Sequence, residues 1–126
     1  MKNSFFRRRK ILKSANTLDL HPVKNYKDEV DDDGIVRVLI PKVKNDFLKN
    51  ILTKLNKNVY MKVKFDKYGS EVWKRIDGNR DVNMIVNDIT NVFLSELSEA
   101  DNRTINFIFI LYQQGFISFK ELIKQE

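Results

Sequence analysis

The chain has 126 residues, with 23 Lys and Arg against 17 Asp and Glu, so its net charge is +6. It has no cysteine and one histidine, which excludes disulfides, thiolate metal sites and thiol nucleophiles and disfavours histidine-based metal sites and catalytic dyads. The 42% hydrophobic content and the few Gly and Pro predict one compact globular domain. We expect it to hold neither a cofactor nor a metal. No apolar run is long enough to span a membrane and no secretory signal begins the chain, so we expect a cytoplasmic protein.

The excess positive charge lies at the N-terminus. Residues 1–18 carry no acid, and their basic side chains are Lys2, Arg7, Arg8, Arg9, Lys10 and Lys13. We therefore interpret residues 1–17 as a basic N-terminal arm and residues 18–126 as a single domain. Three roles for the arm stay open: a solvated tail, a tether to RNA or an acidic partner, or a segment lying at a membrane surface through Phe5, Phe6, Ile11 and Leu12.

The first half of the domain has the pattern of a small sheet. Residues 21–27 and the β-branched run 35–40 flank an acidic turn of three Asp and Gly34, which predicts an antiparallel hairpin. Apolar residues at helical spacing after Asn45 predict a short helix that packs as a small lid. Residues 59–65 alternate with period two and predict a third strand, with an inner face of Val59, Met61, Val63 and Phe65.

Three short helices follow, because the apolar period becomes helical after Asp66. We expect the first over residues 67–75, the second after an N-cap at Asp81 with an apolar stripe, and the third from near Ser98 to Gly115. An extended segment at 116–118 and a terminal helical turn complete the pattern. The fold class predicted is α+β, a winged helix-turn-helix-like domain with a three-stranded antiparallel sheet and a three-helix bundle.

The segment that begins at Asp66 resembles the PqqD family, the small peptide-binding proteins of pyrroloquinoline quinone biosynthesis and related peptide-modification pathways. The resemblance covers roughly residues 59–117, and its motif consists of Asp66, Gly69, Ser70, Trp73, Asp77, Gly78 and Arg80. We expect these residues to be mainly structural. Asp66 would cap a helix, Trp73 would anchor the core, and Arg80 would brace the turn through Asp77.

The resemblance implies a peptide chaperone that has no catalytic activity of its own. It would bind the leader of a ribosomally made precursor peptide as an added strand and present it to a modifying enzyme such as a radical SAM protein. Strand addition needs an exposed sheet edge beside an apolar groove. The candidate peptide-binding residues are Tyr60, Lys62, Lys64, Phe107, Ile110 and Leu111.

Three other interpretations each fit part of the sequence. A winged-helix nucleic-acid-binding or regulatory protein would depend on the basic arm, because the segment 102–111 offers a single Arg. Catalysis would depend on carboxylates at helix caps and turns, namely Asp66, Asp77 and Asp81, where Asp has a structural purpose. The apolar stripe of residues 82–93 is either core or the seam of a homodimer. The sequence names neither the precursor peptide, nor the modifying enzyme, nor whether the product is a quinone cofactor.

Overall fold

The computed structural model describes residues 4–13, 17–42, 46–56, 59–93 and 100–125. Its helices are α1 (Ser4–Lys13), α2 (Asp46–Lys54), α3 (Lys67–Lys74), α4 (Val82–Val92) and α5 (Ala100–Gln113). Its strands are β1 (Pro22–Lys24), β2 (Lys27–Val30), β3 (Val36–Pro41), β4 (Tyr60–Lys64) and β5 (Ile117–Phe119). Two compact units result: a sheet unit, Tyr26–Ser70, and a helical unit, Met1–Asn25 with Glu71–Glu126. The chain passes from one unit to the other within α3.

The sheet unit contains a three-stranded antiparallel sheet in the order β2-β3-β4. The acidic turn joins β2 to β3, as the sequence predicts, and Asp31 organises it. One oxygen of this carboxylate accepts the N–H groups of Asp33 and Ile35 at 2.9 and 3.0 Å, and the other lies 2.9 Å from Arg37 Nη1. These hydrogen bonds hold the pKa of Asp31 below its ordinary value, and the bond from the N–H of Ile35 contributes most.

The core of the sheet unit is small. Val36, Val38 and Phe65 are buried, whereas Met61, predicted on the same inner face, is 51% exposed. The reason is its position: Met61 pairs with Ile40, which is itself only half-buried, so this end of the face is not covered. No residue of α2 is buried, and its predicted cap, Asn45, lies outside the described residues.

The first strand of the predicted hairpin is placed differently from the prediction. Residues 22–24 form β1, which pairs antiparallel with β5 in the helical unit, while residues 27–30 form β2 and pair with β3. Asn25 marks the change of partner, because its side-chain amide donates to Gly115 O at 3.0 Å and its N–H to Phe116 O. A short alternating pattern predicts a strand but does not indicate which other strand pairs with it.

The core of the helical unit confirms the predicted helices α3, α4 and α5. Asp81 caps α4 by accepting the N–H of Met84 at 2.8 Å. The apolar stripe of α4 is buried in the single chain, so it belongs to the core and the idea of a homodimer seam here is wrong. The α+β class and the three-stranded antiparallel sheet are confirmed, while the winged-helix arrangement stays a prediction. No described helix is long and apolar enough to cross a membrane.

Part of the basic arm forms the helix α1, which contacts α5. The Arg8 side chain donates to Tyr112 O at 2.8 Å and to Ile117 O at 2.7 Å, and its guanidinium lies 4.7 Å from the centroid of the Tyr112 ring. A cation that satisfies carbonyls at the C-terminal end of a helix stabilises that end. The arm is therefore not wholly a solvated tail, although Arg9 and Lys10 are exposed.

We expect Arg8→Ala to lower the free energy of unfolding by about 1–3 kcal/mol, because two carbonyls lose a charged donor. Arg9→Ala, which removes an exposed charge from the same helix, should change it by less than about 0.5 kcal/mol. Urea unfolding followed by circular dichroism measures both values. Equal values for the two variants would contradict the role given to Arg8.

Two glycines with positive φ provide a matched pair. Gly78 has φ of +81°, and a Cβ placed there would lie 3.1 Å from Val23 Cγ1 and 3.2 Å from Lys120 Cε. Gly115 has φ of +83°, and a Cβ there would meet nothing within 4 Å.

We expect Gly115→Ala to cost about 1 kcal/mol of stability for the backbone conformation alone. Gly78→Ala should cost roughly 2–3 kcal/mol, because crowding adds to the same strain. Thermal and urea unfolding of the two variants check the difference. A larger loss for Gly115→Ala would show that the contacts of Gly78 are not tight.

Candidate functional site

The outer edge of β4 is the side of this strand that faces away from β3. Phe65 N–H donates to Val36 O at 2.9 Å and Lys42 N–H to Val59 O at 2.8 Å, so the odd-numbered residues of the segment direct their main-chain groups toward β3. The N–H and C=O groups of Lys62 and Lys64 therefore point to the outer edge. Among the described residues, β3 is the one strand that pairs with β4. This edge can accept another strand.

The side chains beside this edge are cationic and aromatic. Tyr60, Lys62 and Lys64 alternate along β4 and share one face of the sheet. Lys62 Nζ lies 3.2 Å from Glu29 Oε2, with both side chains about half exposed, and Lys49 Nζ lies 5.5 Å from the centroid of the Tyr60 ring. Exposed ion pairs contribute about 0–1 kcal/mol, so Lys62 can exchange Glu29 for another carboxylate at little cost.

The other three candidate residues lie on α5 in the helical unit and differ in exposure. Ile110 is 53% exposed, Phe107 is half-buried, and Leu111 is 3% exposed. The helix, predicted to be apolar on nearly all sides, buries the side that carries Thr104, Ile108, Leu111 and Tyr112. Ile110 is thus the most accessible of the three, and Leu111 contributes to the core.

The motif residues around the start of α3 hold the chain in place. Asp66 Oδ1 accepts the N–H of Gly69 at 2.7 Å, which caps the helix. The Ser70 hydroxyl, fully buried, accepts the N–H of Val36 at 2.8 Å. This last bond satisfies a buried donor of β3 at the point where β4 has ended. The sequence indicates a structural role for Ser70 but does not indicate this hydrogen bond.

The motif residues after α3 form the turn into α4. Asp77 Oδ1 accepts the N–H groups of Asn79 and Arg80 at 2.9 and 3.0 Å, and its Oδ2 lies 3.0 Å from Arg80 Nη1. These contacts hold the pKa of Asp77 below its ordinary value, and the hydrogen bond from the N–H of Asn79 contributes most. Trp73 is fully buried, and Lys24 Nζ lies 5.3 Å from its ring centroid.

The lowered pKa of Asp77 gives a pH dependence. A carboxyl whose folded pKa is depressed stabilises the fold above its ordinary pKa, near 3.8, and loses that contribution as the pH falls through the folded value. We expect Asp77→Asn to be less stable than the wild type at pH 7 and the difference to shrink below pH 3.8. Urea unfolding at several pH values tests this. A difference that grows in acid would contradict the assignment.

An open cavity of about 560 Å³ lies on the helical unit beside α3 and α4. Its charged groups pair with one another: Arg75 Nη1 lies 3.0 Å from Glu71 Oε1, and Arg80 Nε lies 3.4 Å from Asp88 Oδ2. The hydrogen bond from Lys74 and the contacts of Arg75 keep the pKa of Glu71 low. The sequence signals the Glu71–Arg75 pair by its i,i+4 spacing but gives no signal for Asp88. The described residues contain no group of three His, Cys, Asp or Glu side chains able to hold a metal ion.

A family model described as coenzyme PQQ synthesis protein D (PqqD) matches residues 52–117, just over half of the chain. The matched segment contains β4, the helices α3 to α5 and every motif residue from Asp66 to Arg80. It leaves out α1 and the strands β1 to β3. No curated protein and no solved structure matches the chain.

Proposed function

Because the chain belongs to the PqqD family, we propose that it is an accessory protein that binds the leader of a ribosomally made precursor peptide. The leader adds as a strand to the outer edge of β4, and the chain presents the peptide to a modifying enzyme such as a radical SAM protein. The chemistry then belongs to that enzyme. The observation that carries this proposal is that the N–H and C=O groups of Lys62 and Lys64, within the matched segment, point to the outer edge of β4.

The sheet has a second edge, on β2, and two observations favour β4. β4 lies within the family match and β2 does not. The charges beside the two edges also differ: β4 carries the exposed Lys62 and Lys64, whereas β2 carries the exposed Lys27 and Glu29 and the half-buried Asp28. Main-chain hydrogen bonds give affinity to an added strand, and the side chains beside the edge give its specificity. The β4 edge therefore selects a leader with acidic residues at alternate positions, opposite Lys62 and Lys64.

The residues on α5 enter the proposal as an apolar surface. Ile110, which is exposed, and Phe107, which is half-buried, would contact apolar side chains of the leader. Leu111 is core in this structure and would support that surface from beneath. Tyr60 completes the proposed set on the strand.

Proline at position 62 tests strand addition directly. The N–H of Lys62 points to the outer edge, so Lys62→Pro removes a donor to the leader and no bond to β3. The matched control is Val30→Pro on the other edge, where Asp31 N–H donates to Ile35 O and the N–H of Val30 therefore points outward. We expect leader affinity to fall about three- to tenfold for Lys62→Pro and to change by less than about twofold for Val30→Pro.

The leader is obtained by capture. The full chain is immobilised, extract of its source cells is passed over it, and retained peptides are identified by mass spectrometry. A genetically encoded peptide found there is synthesised, and its affinity for each variant is measured by fluorescence anisotropy. Lys62→Ala, which keeps the N–H and removes the charge, separates the main-chain contribution from the electrostatic one.

Three results would contradict the proposal. Capture of no encoded peptide would refute the peptide-binding function. Weaker binding by Val30→Pro than by Lys62→Pro would place the leader on β2 instead. Recovery of nucleic acid alone, released by salt and unaffected by either proline, would favour the alternative of a nucleic-acid-binding or regulatory protein that uses its basic N-terminal residues.

A further inference from the structure

The helix α2 presents apolar side chains to solvent. The N–H of Leu55, just after the helix, still donates to Ile51 O at 3.1 Å, so the helical projection extends to this residue. On that projection the apolar residues occupy one arc of about 140°. They are the exposed Phe47, Leu48, Ile51 and Leu55 and the half-buried Leu52. Phe47 is 71% exposed and Leu55 is 62% exposed. Single exposed apolar residues are ordinary, but a continuous stripe on one helix marks an interaction surface.

Lysines border this stripe on both sides. Lys54, which is exposed, projects next to Phe47. Lys49 projects next to Leu52 and is half-buried, with its Nζ 5.5 Å from the centroid of the Tyr60 ring. Asp46, Asn50 and Thr53 occupy the opposite side of the helix. The sequence from residue 42 to 57 contains one acid, Asp46, and five lysines, Lys42, Lys44, Lys49, Lys54 and Lys57. The partner of this surface must therefore be both apolar and anionic.

A second copy of the chain does not meet that requirement. The two stripes would bring like charges together. A nine-residue helix is also only about 14 Å long, so its stripe is far smaller than the roughly 800 Å² that each partner contributes to a stable interface. Its first turns, with Phe47, Leu48 and Ile51, lie outside the family match.

We propose that α2 docks the protein on an anionic lipid surface, with the apolar stripe in the headgroup boundary and the flanking lysines at the level of the lipid phosphates. A short helix with an apolar face and lysines at its borders binds such an interface by burying apolar area and by electrostatic attraction. The binding is reversible and depends on the anionic lipid. It does not depend on the leader-binding function.

Vesicle co-sedimentation of the full chain tests this proposal. The probes are vesicles of phosphatidylcholine alone and vesicles that also contain phosphatidylglycerol. We expect binding to the anionic vesicles that weakens as salt is added, and much less binding to the zwitterionic ones. Phe47→Ser with Leu55→Ser should lower the partition at least about tenfold. The matched control is Met84→Ser with Val92→Ser on α4, which removes two apolar side chains that are about half exposed and should change the partition by less than about twofold.

A fluorescent variant separates insertion of the stripe from adsorption by charge alone. Phe47→Trp adds an exposed indole, while the native Trp73 is fully buried and gives a constant background. Anionic vesicles should shift the emission of the new indole to shorter wavelength and protect it from acrylamide.

Each of the following results would overturn the proposal: equal binding to both kinds of vesicle, equal loss for the α2 and α4 double variants, or an unshifted indole. An acidic peptide that protects the indole when anionic vesicles do not would assign the stripe to a protein partner instead. Because the changed side chains are exposed, the variants should fold, and circular dichroism verifies it. If the α2 double variant unfolds, the single variant Leu55→Ser replaces it, and if the α4 double variant unfolds, the single variant Val92→Ser replaces it.

Discussion

The register between β3 and β4 is the constraint on which the sheet unit depends. Pairing Val38 with Val63 sends the main chain of the odd residues of β4 to β3 and places the lysines on one face. A slip of one residue would exchange the two faces and bring Lys62 or Lys64 to the side of Val38, which is fully buried. The outward main chain at the edge and the cationic side chains beside it therefore result from the same pairing.

That register is fixed where β4 ends and α3 begins. Phe65 N–H donates to Val36 O, and Ser70 Oγ then accepts the N–H of Val36 in place of another strand residue. Asp66 caps the helix that carries Ser70. An unsatisfied buried N–H would cost about 1–3 kcal/mol, so this hydroxyl stabilises the last position of the ladder. The motif residues Asp66 and Ser70 thus help to fix the register that directs the main chain of Lys62 and Lys64 to the outer edge.

The sequence predicts the elements of this chain better than their partners. The α4 stripe and the Asp81 cap are local signals, and both are confirmed. The partner of residues 22–24 depends on β5, nearly a hundred residues away, and no local pattern can indicate it. Arg8 is a similar case, because a basic run near a chain end looks the same whether it is solvated or hydrogen-bonded to backbone carbonyls of α5 and β5. The alternating pattern places Met61 on the correct face of β4, but whether that side chain is buried depends on what covers that end of the sheet.

The two proposed surfaces of the sheet unit depend on different chemistry, which makes them separable. The β4 edge acts through main-chain hydrogen bonds, which side-chain changes on α2 do not remove. The α2 stripe acts through apolar area and lysine charge, which a proline at position 62 leaves in place. Both surfaces are basic, so added salt weakens binding at both of them and does not show which surface is used. Only changes that remove a main-chain donor or an apolar side chain assign a binding event to one surface or the other.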